Sequence, residues 1–237
     1  MKNHKAEEKI NGRHKVFLVD DHPIVRQGLA QLINQEPDLV VCGEASDIQS
    51  AVQDIQKSSP DIIIVDISLG QESGIRLIED LLMQEPRLLI LVLSMHDESL
   101  YAERCLKSGA MGYIMKQEPP EKVIQAIKKV LKGEMYISES LNVKLLQKFT
   151  AKKPDIYLSP IERLSNRELE VFQLIGQGLK TRKIAEQLNL SVKTIETYIE
   201  HIKRKMDFED LRNLILHAVQ WHMGEHSVKT EKTDIKK

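Results

Sequence analysis

The sequence is poor in aromatic residues and contains no long apolar run. Phe, Trp and Tyr together make up 4% of its 237 residues, so a buried core must consist mainly of Leu, Ile and Val. No stretch reaches the roughly 18 consecutive apolar residues that indicate a membrane-spanning helix. The N-terminal residues also lack the apolar segment of a secretory signal. These absences predict a cytoplasmic protein without a membrane partner.

Cysteine is scarce as well, and the near-neutral net charge of -1 conceals an asymmetry. Cys42 and Cys105 lack metal-ligand spacing and lie in apolar patterns, which favours buried reduced thiols. Residues 16–132 contain 11 Lys and Arg against 18 Asp and Glu, whereas residues 164–206 contain 8 against 5. The acidic part suits a cation or phosphate chemistry, and the basic part suits a polyanion.

Residues 15–133 alternate short apolar strands with amphipathic helices. The four β-branched residues at positions 62–65 predict a strand that is buried on both faces, which is typical of a parallel sheet. Five strands and five helices in alternation predict an α/β domain with a five-stranded doubly wound parallel sheet and right-handed crossovers.

Polar side chains stand where four of the predicted strands end. In a doubly wound sheet these ends share one edge, so the side chains are expected to converge there. Asp66 by itself could equally be an Asx residue that opens a turn, but the whole set favours a site. Its members are Asp20, Asp21, Asp66, Ser94 and Lys116.

The chemistry of this set favours phosphoryl transfer with a metal ion. Three neighbouring carboxylates repel one another and need a cation to stay ionised. Oxygen ligands of this kind suit Mg²⁺. Asp66 could then accept a phosphoryl group as a nucleophile, with Lys116 neutralising its charge and Ser94 hydrogen-bonding one of its oxygens.

The segments LVDDHPIVRQGL, IIIVDISL, LVLSMH and GYIMK follow one another in an order that resembles the receiver domain of bacterial two-component response regulators. The resemblance covers residues 16–132 and implies a flavodoxin-like fold with Asp66 as the phosphoacceptor. It further implies Mg²⁺ ligands and switch or phosphate-binding residues at known positions. The ligands are Asp20, Asp21, Asp66 and the Ser68 backbone carbonyl, and the switch and phosphate-binding residues are Ser94, Tyr113 and Lys116.

This segment departs from the family pattern at several positions. Gly70 stands where many receivers have a proline, and Gln117 follows Lys116 where some have a cis proline. Ser68 and His96 occupy positions that tune the lifetime of the phosphorylated state in the family. Side chains that simply face solvent are the alternative interpretation of both.

A second domain is predicted at residues 159–223, after a linker at residues 134–158. The linker includes one amphipathic helix near residues 139–149, and either a passive tether or a helix docked between domains fits it. Residues 1–14 are predicted to form a flexible arm and residues 224–237 a disordered tail.

The second domain is predicted to be all-α and to contain a helix-turn-helix. Ser165 and Glu168 form a capping box, and Ser191 caps a helix whose Ile195, Ile199 and Ile202 should pack inward. The second helix of such a motif enters the major groove, although a solvated basic face is the alternative. The predicted DNA-binding residues are Lys180, Thr181, Lys193, Thr194, Glu196, Thr197, Glu200, His201, Lys203 and Arg204.

The register of LSNRELEVFQLIGQGLKTRKIAEQLNLSVKTIETYIEHIKRKM resembles the LuxR-type helix-turn-helix over residues 164–221. It departs at Glu196 and Glu200, where several relatives carry lysine. Both domains together resemble response regulators of the NarL/FixJ type. The implied partners are a sensor histidine kinase, double-stranded DNA bound by a homodimer, and RNA polymerase, and the implied role is transcription regulation rather than enzymatic turnover.

Two other functions remain open from the residues. A phosphohydrolase with an aspartyl nucleophile would need a second acid two residues beyond Asp66, where Ser68 stands. The other is a DNA-binding regulator that does not depend on phosphorylation and uses its receiver for protein contacts.

Overall fold

The computed structural model describes residues 12–70, 72–150 and 160–231, with side chains except those of residues 144, 148–150 and 224–231. The chain divides into two compact units, residues 1–150 and 151–237. Most of the predicted arm, residues 151–158 of the predicted linker and residues 232–237 of the predicted tail lie outside the described residues. In the described ranges, no helix combines the length and apolar character that crossing a membrane requires.

The strands described in the first unit are β1 (His14–Val19), β2 (Leu39–Ala45), β3 (Ile62–Val65), β4 (Ser68–Leu69), β5 (Glu72–Ser73), β6 (Leu89–Ser94) and β7 (Gly112–Met115). Five of them form a parallel sheet with the order β2-β1-β3-β6-β7, and β4 and β5 form a separate two-stranded hairpin. This arrangement confirms the predicted doubly wound parallel sheet.

The helices described in this unit are α1 (Pro23–Asn34), α2 (Ile48–Ser58), α3 (Gly74–Gln84), α4 (Glu98–Lys107), α5 (Pro120–Leu131) and α6 (Glu139–Thr150). Local residues explain where two of them begin. The Asp47 carboxylate accepts a hydrogen bond from the Ser50 N–H at 2.8 Å and so caps α2. Pro120 opens α5 at a position where a missing N–H costs nothing.

The central strands are buried on both faces. All four residues of β3 are buried, as the β-branched run predicts, and burial of each such side chain stabilises the fold by about 1.5–3 kcal/mol. Cys105 is a buried free thiol, as predicted. Cys42 is a free thiol too, but it is only half-buried because β2 is an edge strand.

The hairpin that follows β3 was not predicted, since its two strands are too short for an alternating pattern. Ser68 pairs with Ser73 and Leu69 pairs with Glu72. Gly74 then lies so close to β3 that a Cβ atom there would be 2.0 Å from the backbone oxygen of Asp66. Only glycine fits this position without moving the Asp66 backbone.

The second unit is helical in its described residues. Both bonds of the predicted capping box form, with the Ser165 N–H donating to Glu168 Oε2 at 2.6 Å and the Glu168 N–H donating to Ser165 Oγ at 3.3 Å. The elements are a 3-10 turn (Pro160–Arg163), α7 (Asn166–Gly176), α8 (Thr181–Gln187), α9 (Val192–Lys205) and α10 (Leu211–Glu231). On α9, Ile195, Ile199 and Ile202 are buried, as predicted.

Candidate functional site

Backbone hydrogen bonds hold the predicted site residues at the carboxyl edge of the sheet. The Asp66 N–H donates to the Val19 carbonyl of β1 at 2.8 Å, and the Lys116 N–H donates to the Ser94 carbonyl of β6 at 2.8 Å. Each bond continues the pairing of neighbouring parallel strands by one residue. The positions of Asp66 and Lys116 are therefore fixed by the sheet itself.

Lys116 joins two carboxylates from different strands. Its Nζ lies 2.6 Å from Asp20 Oδ2 and 2.7 Å from Asp66 Oδ2, and its side chain is 6% exposed against 4% for each carboxylate. Lys116 thus bonds directly to two of the other four polar residues that the sequence placed at this edge. One ammonium bonds two carboxylates, so the cluster retains a net negative charge.

Burial and charge act on these groups in opposite senses. Burial raises the pKa of Asp66, with the Asp20 charge adding to the effect, and Lys116 offsets this only in part. Burial also lowers the pKa of Lys116, but its bonds to Asp20 and Asp66 outweigh this and leave that pKa raised. The lysine is therefore a fixed cation, while the ionised form of Asp66 lacks full compensation.

Asp21 and His22 form the more exposed mouth of the site. Asp21 Oδ2 accepts a hydrogen bond from the Gly70 N–H at 2.9 Å, which ties the β4–β5 hairpin to the end of β1. His22 Nδ1 lies 2.7 Å from Asp21 Oδ1, and the His22 side chain is 60% exposed.

Two members of this neighbourhood were missed by the sequence analysis. One is His22, and the other is Arg26, whose guanidinium donates to the Asp20 backbone carbonyl and to Glu44 Oε2 at 3.1 Å. The spacing of His22 and Arg26, four residues apart at the start of α1, is the signal that could have placed both on one helix face.

The donor set fits a hard divalent cation. Asp20, Asp21, His22 and Asp66 each offer a ligand atom within 4.8 Å of the others. Asp66 Oδ1 is buried and has no hydrogen-bond partner among the described residues. Because an unpaired buried carboxylate oxygen is costly and Mg²⁺ prefers carboxylate ligands, these residues fit the magnesium ion that the receiver resemblance implies. Ser68 begins β4 just beyond Asp66, and the role of its carbonyl as a ligand stays a prediction.

Ser94 and Tyr113 both bond to the backbone of His96, which lies two residues beyond the end of β6. The His96 N–H donates to Ser94 Oγ at 3.2 Å, and the Tyr113 hydroxyl donates to the His96 carbonyl at 2.8 Å. Both side chains are buried, and burial raises the pKa of Tyr113 so that it stays a hydroxyl donor. The two predicted switch residues therefore hold one loop, residues 95–97.

Ser68 and His96 contact each other rather than only solvent. Ser68 Oγ lies 2.8 Å from His96 Nε2, and both residues are half-buried. This bond links the loop after β3 to the loop after β6, on either side of Asp66. These two side chains are thus partly exposed to solvent and also bonded to each other.

The predicted DNA-binding residues lie on α9 and at the start of α8, and they differ in exposure. Lys180, Lys193, Glu196, Thr197, Glu200 and Arg204 are exposed, and Thr181, Thr194, His201 and Lys203 are half-buried.

Lys203 is less available than its neighbour Arg204. Its Nζ lies 3.0 and 3.1 Å from the two carboxylate oxygens of Glu200, and its side chain is 18% exposed. Lys205 turns inward and contacts the buried Glu168 Oε2 at 2.6 Å. Burial tends to raise the pKa of Glu168, but its bonds to Lys205 and Ser165 leave it lowered. Of the basic residues at the end of α9, Arg204 is thus the exposed one.

Comparison with known families identifies both units. The family described as response regulator receiver domain matches residues 16–128. The family described as bacterial regulatory proteins, luxR family, matches residues 162–218. The two matches together define a two-component response regulator with a DNA-binding output domain.

Similar proteins align along nearly their whole length. The oxygen regulatory protein NreC of Staphylococcus haemolyticus is 35% identical over 210 residues, which are 87% of this chain and 97% of that protein. The transcriptional regulatory protein DegU of Brevibacillus brevis is 30% identical over 227 residues, 90% and 96% of the two chains. The chain therefore belongs to the NarL/FixJ family of response regulators, which regulate transcription.

Solved structures agree with this assignment. The RcsB response regulator of Salmonella typhimurium aligns with a TM-score of 0.67 at 29% identity, covering 88% of this chain and 98% of that one. RcsB from Salmonella enterica serovar Typhimurium, bound to promoter rprA with a phosphomimetic, aligns with a TM-score of 0.63 at 28% identity, covering 87% and 98%.

Proposed function

We propose that a sensor histidine kinase phosphorylates Asp66 and that this modification controls DNA binding by the helix-turn-helix domain. The observation that carries the proposal is the state of the Asp66 carboxylate. Lys116 holds Oδ2 at 2.7 Å, while Oδ1 is buried without a hydrogen-bond partner among the described residues. A carboxylate with one oxygen hydrogen-bonded and the other without a hydrogen-bond partner is suited to form one new bond.

The transfer itself needs no residue of this chain to change its protonation state once the Asp66 carboxyl is ionised. A carboxylate oxygen of Asp66 attacks the phosphorus of a phosphohistidine, and the P–N bond breaks with its electron pair leaving on the imidazole, which takes a proton from water. Lys116 lies close enough to neutralise a phosphoryl oxygen on Asp66. The Ser94 hydroxyl can donate to another oxygen.

A magnesium ion would complete the charge balance. Asp20, Asp21, Asp66 and the Ser68 carbonyl are the proposed ligands. When bound, Mg²⁺ supplies positive charge to the carboxylates and to the phosphoryl oxygens.

Asp66 serves as a signal input rather than as the nucleophile of a turnover enzyme. A phosphohydrolase would need an acid or base two residues further on, and Ser68 there contacts His96 through its hydroxyl. The acyl phosphate therefore has no carboxylate at that position to activate water against it.

The proposed output is binding of a homodimer to double-stranded DNA in the cytoplasm. Two RcsB dimers are described on two parallel DNAs in a structure that aligns with a TM-score of 0.54 at 29% identity. The proposed division of labour is a receiver at residues 15–133, a linker at 134–158 and a DNA-binding domain at 159–223, with contact to RNA polymerase at the promoter.

The test compares Asp66→Asn with wild type. Both are treated with acetyl phosphate and Mg²⁺, intact mass is measured, and DNA is then selected from a randomised duplex library. Wild type should gain one phosphoryl group and bind selected duplexes at least fivefold more tightly, a usual size of allosteric coupling. Asp66→Asn should show neither change.

The matched control is Asp80→Asn, which changes a half-buried carboxylate that pairs with Arg76 on α3 and should behave as wild type. Equal DNA affinity of wild type with and without the phosphoryl group would instead establish the regulator that does not depend on phosphorylation. Multiple turnover of acetyl phosphate at an enzyme-like rate would establish the hydrolase.

A further inference from the structure

The chain does not leave the receiver at the end of α5. Gly133, with φ of 78°, turns it back, and residues 133–141 then run along the sheet edge formed by β7 and reach the start of α6. We call residues 133–141 the linker clasp. The sequence predicted most of this segment as linker, and the structure gives it specific contacts with the receiver.

Tyr136 of the linker clasp pairs with β7 as a single strand residue. The Tyr113 N–H donates to the Tyr136 carbonyl at 2.9 Å, and the Tyr136 N–H donates to the Met111 carbonyl at 3.0 Å. The pairing is a parallel bridge between Gly112 and Tyr136. A Cβ atom on Gly112 would lie 2.8 Å from the Tyr136 carbonyl oxygen, so this close approach requires glycine.

The other end of the linker clasp is held by α4. The Ser138 N–H donates to Glu98 Oε1 at 3.1 Å, and Glu98 is the first residue of α4. Ser138 in turn caps α6, because its hydroxyl accepts from the Leu141 N–H at 3.1 Å. Leu141 is buried and α6 packs against α4. The first turn of α6 is therefore positioned by Glu98.

Both contacts lead directly to the switch residues. Tyr113 bonds Tyr136 through its backbone and His96 through its hydroxyl, and Ser94 bonds the same His96. His96 stands two residues before Glu98. A change at Ser94 therefore has two short paths to α6, one through residues 95–98 and one through β7.

We propose that the linker clasp restrains α6 and that phosphorylation of Asp66 loosens it, with Glu98 and Tyr136 as positioning residues for the DNA-binding output. This inference rests on the proposed function. Rotation of the Ser94 hydroxyl toward a phosphoryl oxygen displaces Oγ from the His96 N–H. The loop at residues 95–97 then loses one of the three hydrogen bonds described above for His96, those with Ser94, Tyr113 and Ser68, and Glu98 moves with it. The α6 helix, which leads the chain out of the receiver, loses its fixed start.

Hydrogen exchange of the full-length wild type tests the restraint without any variant. After treatment with acetyl phosphate and Mg²⁺, amides of residues 136–142 should exchange at least fivefold faster than in the untreated protein. Intact mass of the same sample reports whether a phosphoryl group was gained. A protein that gains none refutes the proposed function. A phosphorylated protein with unchanged exchange at residues 136–142 refutes the linker clasp alone.

Glu98→Ala tests whether the restraint controls the output. Without a phosphate donor, this variant should bind the duplex most enriched by phosphorylated wild type at least fivefold more tightly than unphosphorylated wild type does. Glu98→Gln keeps an oxygen acceptor for the Ser138 N–H and should restore wild-type behaviour. Because the glutamine also removes the charge at the start of α4, an effect of charge alone would appear in both variants.

Glu79→Ala is the matched control, since Glu79 Oε1 accepts a hydrogen bond from the Ser108 hydroxyl at 2.7 Å at the opposite end of α4. It should leave DNA binding unchanged. The inference is wrong if Glu98→Ala gains the phosphoryl group normally but shows wild-type affinity with and without it. It is also wrong if Glu79→Ala and Glu98→Ala change affinity equally.

Discussion

The carboxyl edge of the receiver sheet and the surface of α9 hold their charges in opposite ways. At the sheet edge, the buried carboxylates of Asp20 and Asp66 both bond to the Lys116 ammonium. On α9, Glu196 and Arg204 are exposed to solvent. Buried charges must be compensated within the protein or by a ligand, so the incomplete compensation of Asp66 points to a bound cation. Exposed charges are stabilised by water and need no partner, so their positions do not identify a ligand.

The difference between the two regions also predicts how large the effect of a substitution should be. A charge in a water-excluded site interacts several times more strongly than one at the surface. Changes at the sheet edge should therefore alter function more than changes on α9.

The largest expected effect is that of Lys116→Met. It leaves Asp20 and Asp66 without their shared cation and removes the charge that, under the proposed function, neutralises the transferring phosphoryl group. We expect the rate of Asp66 phosphorylation by acetyl phosphate to fall about 100-fold or more, measured by intact mass over time. Lys107→Met is the control, because Lys107 is an exposed cation that pairs with Glu103 on α4. Similar rates for both variants would mean that burial of Lys116 has no functional consequence.

A second expected effect concerns stability, pH and Mg²⁺. Because the pKa of Asp66 lies above its ordinary value of 3.8 in the folded state, ionisation of this group destabilises the fold. This loss of folding free energy is fully present above the folded-state pKa of Asp66 and disappears as pH falls below 3.8. In EDTA at pH 7, Asp66→Asn should therefore unfold at a higher temperature than wild type, and the difference should vanish toward pH 4.

Mg²⁺ should reverse this order at pH 7. At 100 times its dissociation constant it should stabilise wild type by about 2.7 kcal/mol and stabilise Asp66→Asn much less. Thermal unfolding of both proteins with Mg²⁺ and with EDTA measures the difference. An equal gain in both proteins would place the ion elsewhere.

The smallest expected effect compares two cations on α9. Arg204→Ala should reduce the slope of log affinity against log salt by about one, as loss of one phosphate contact does. Lys203→Ala should reduce it less, because Glu200 already pairs with Lys203. Glu200→Gln should free Lys203 and increase the slope. Salt titrations on one duplex measure all three variants. Equal slopes for Arg204→Ala and Lys203→Ala would show that pairing with Glu200 does not reduce the contribution of Lys203.

The sequence predicted elements best where one local rule governs them. The β-branched run of β3 has a single stable environment, a strand buried on both faces. The capping box of Ser165 and Glu168 satisfies helix N–H groups within four residues of chain. Both patterns are readable within a few consecutive residues, and both formed as predicted.

The β4–β5 hairpin, the Ser68–His96 contact and the linker clasp were not predicted. Each joins backbone or side-chain atoms from segments that share no periodic pattern. The bridge of Gly112 to Tyr136 uses one residue, which leaves no alternation to detect.

By itself, the sequence determined the order of the main strands and helices, the family, and that Asp20, Asp66 and Lys116 meet at the sheet edge, since the ends of parallel strands coincide. Only the tertiary structure decided that Asp66 has one bonded oxygen and one without a hydrogen-bond partner among the described residues. The same holds for the bond of Lys205 on α9 to Glu168 on α7 and for the bond by which Glu98 holds the start of α6. The physical reason is that patterns fix the position of a residue along an element. Hydrogen-bond partners depend instead on distances of a few tenths of an ångström between elements.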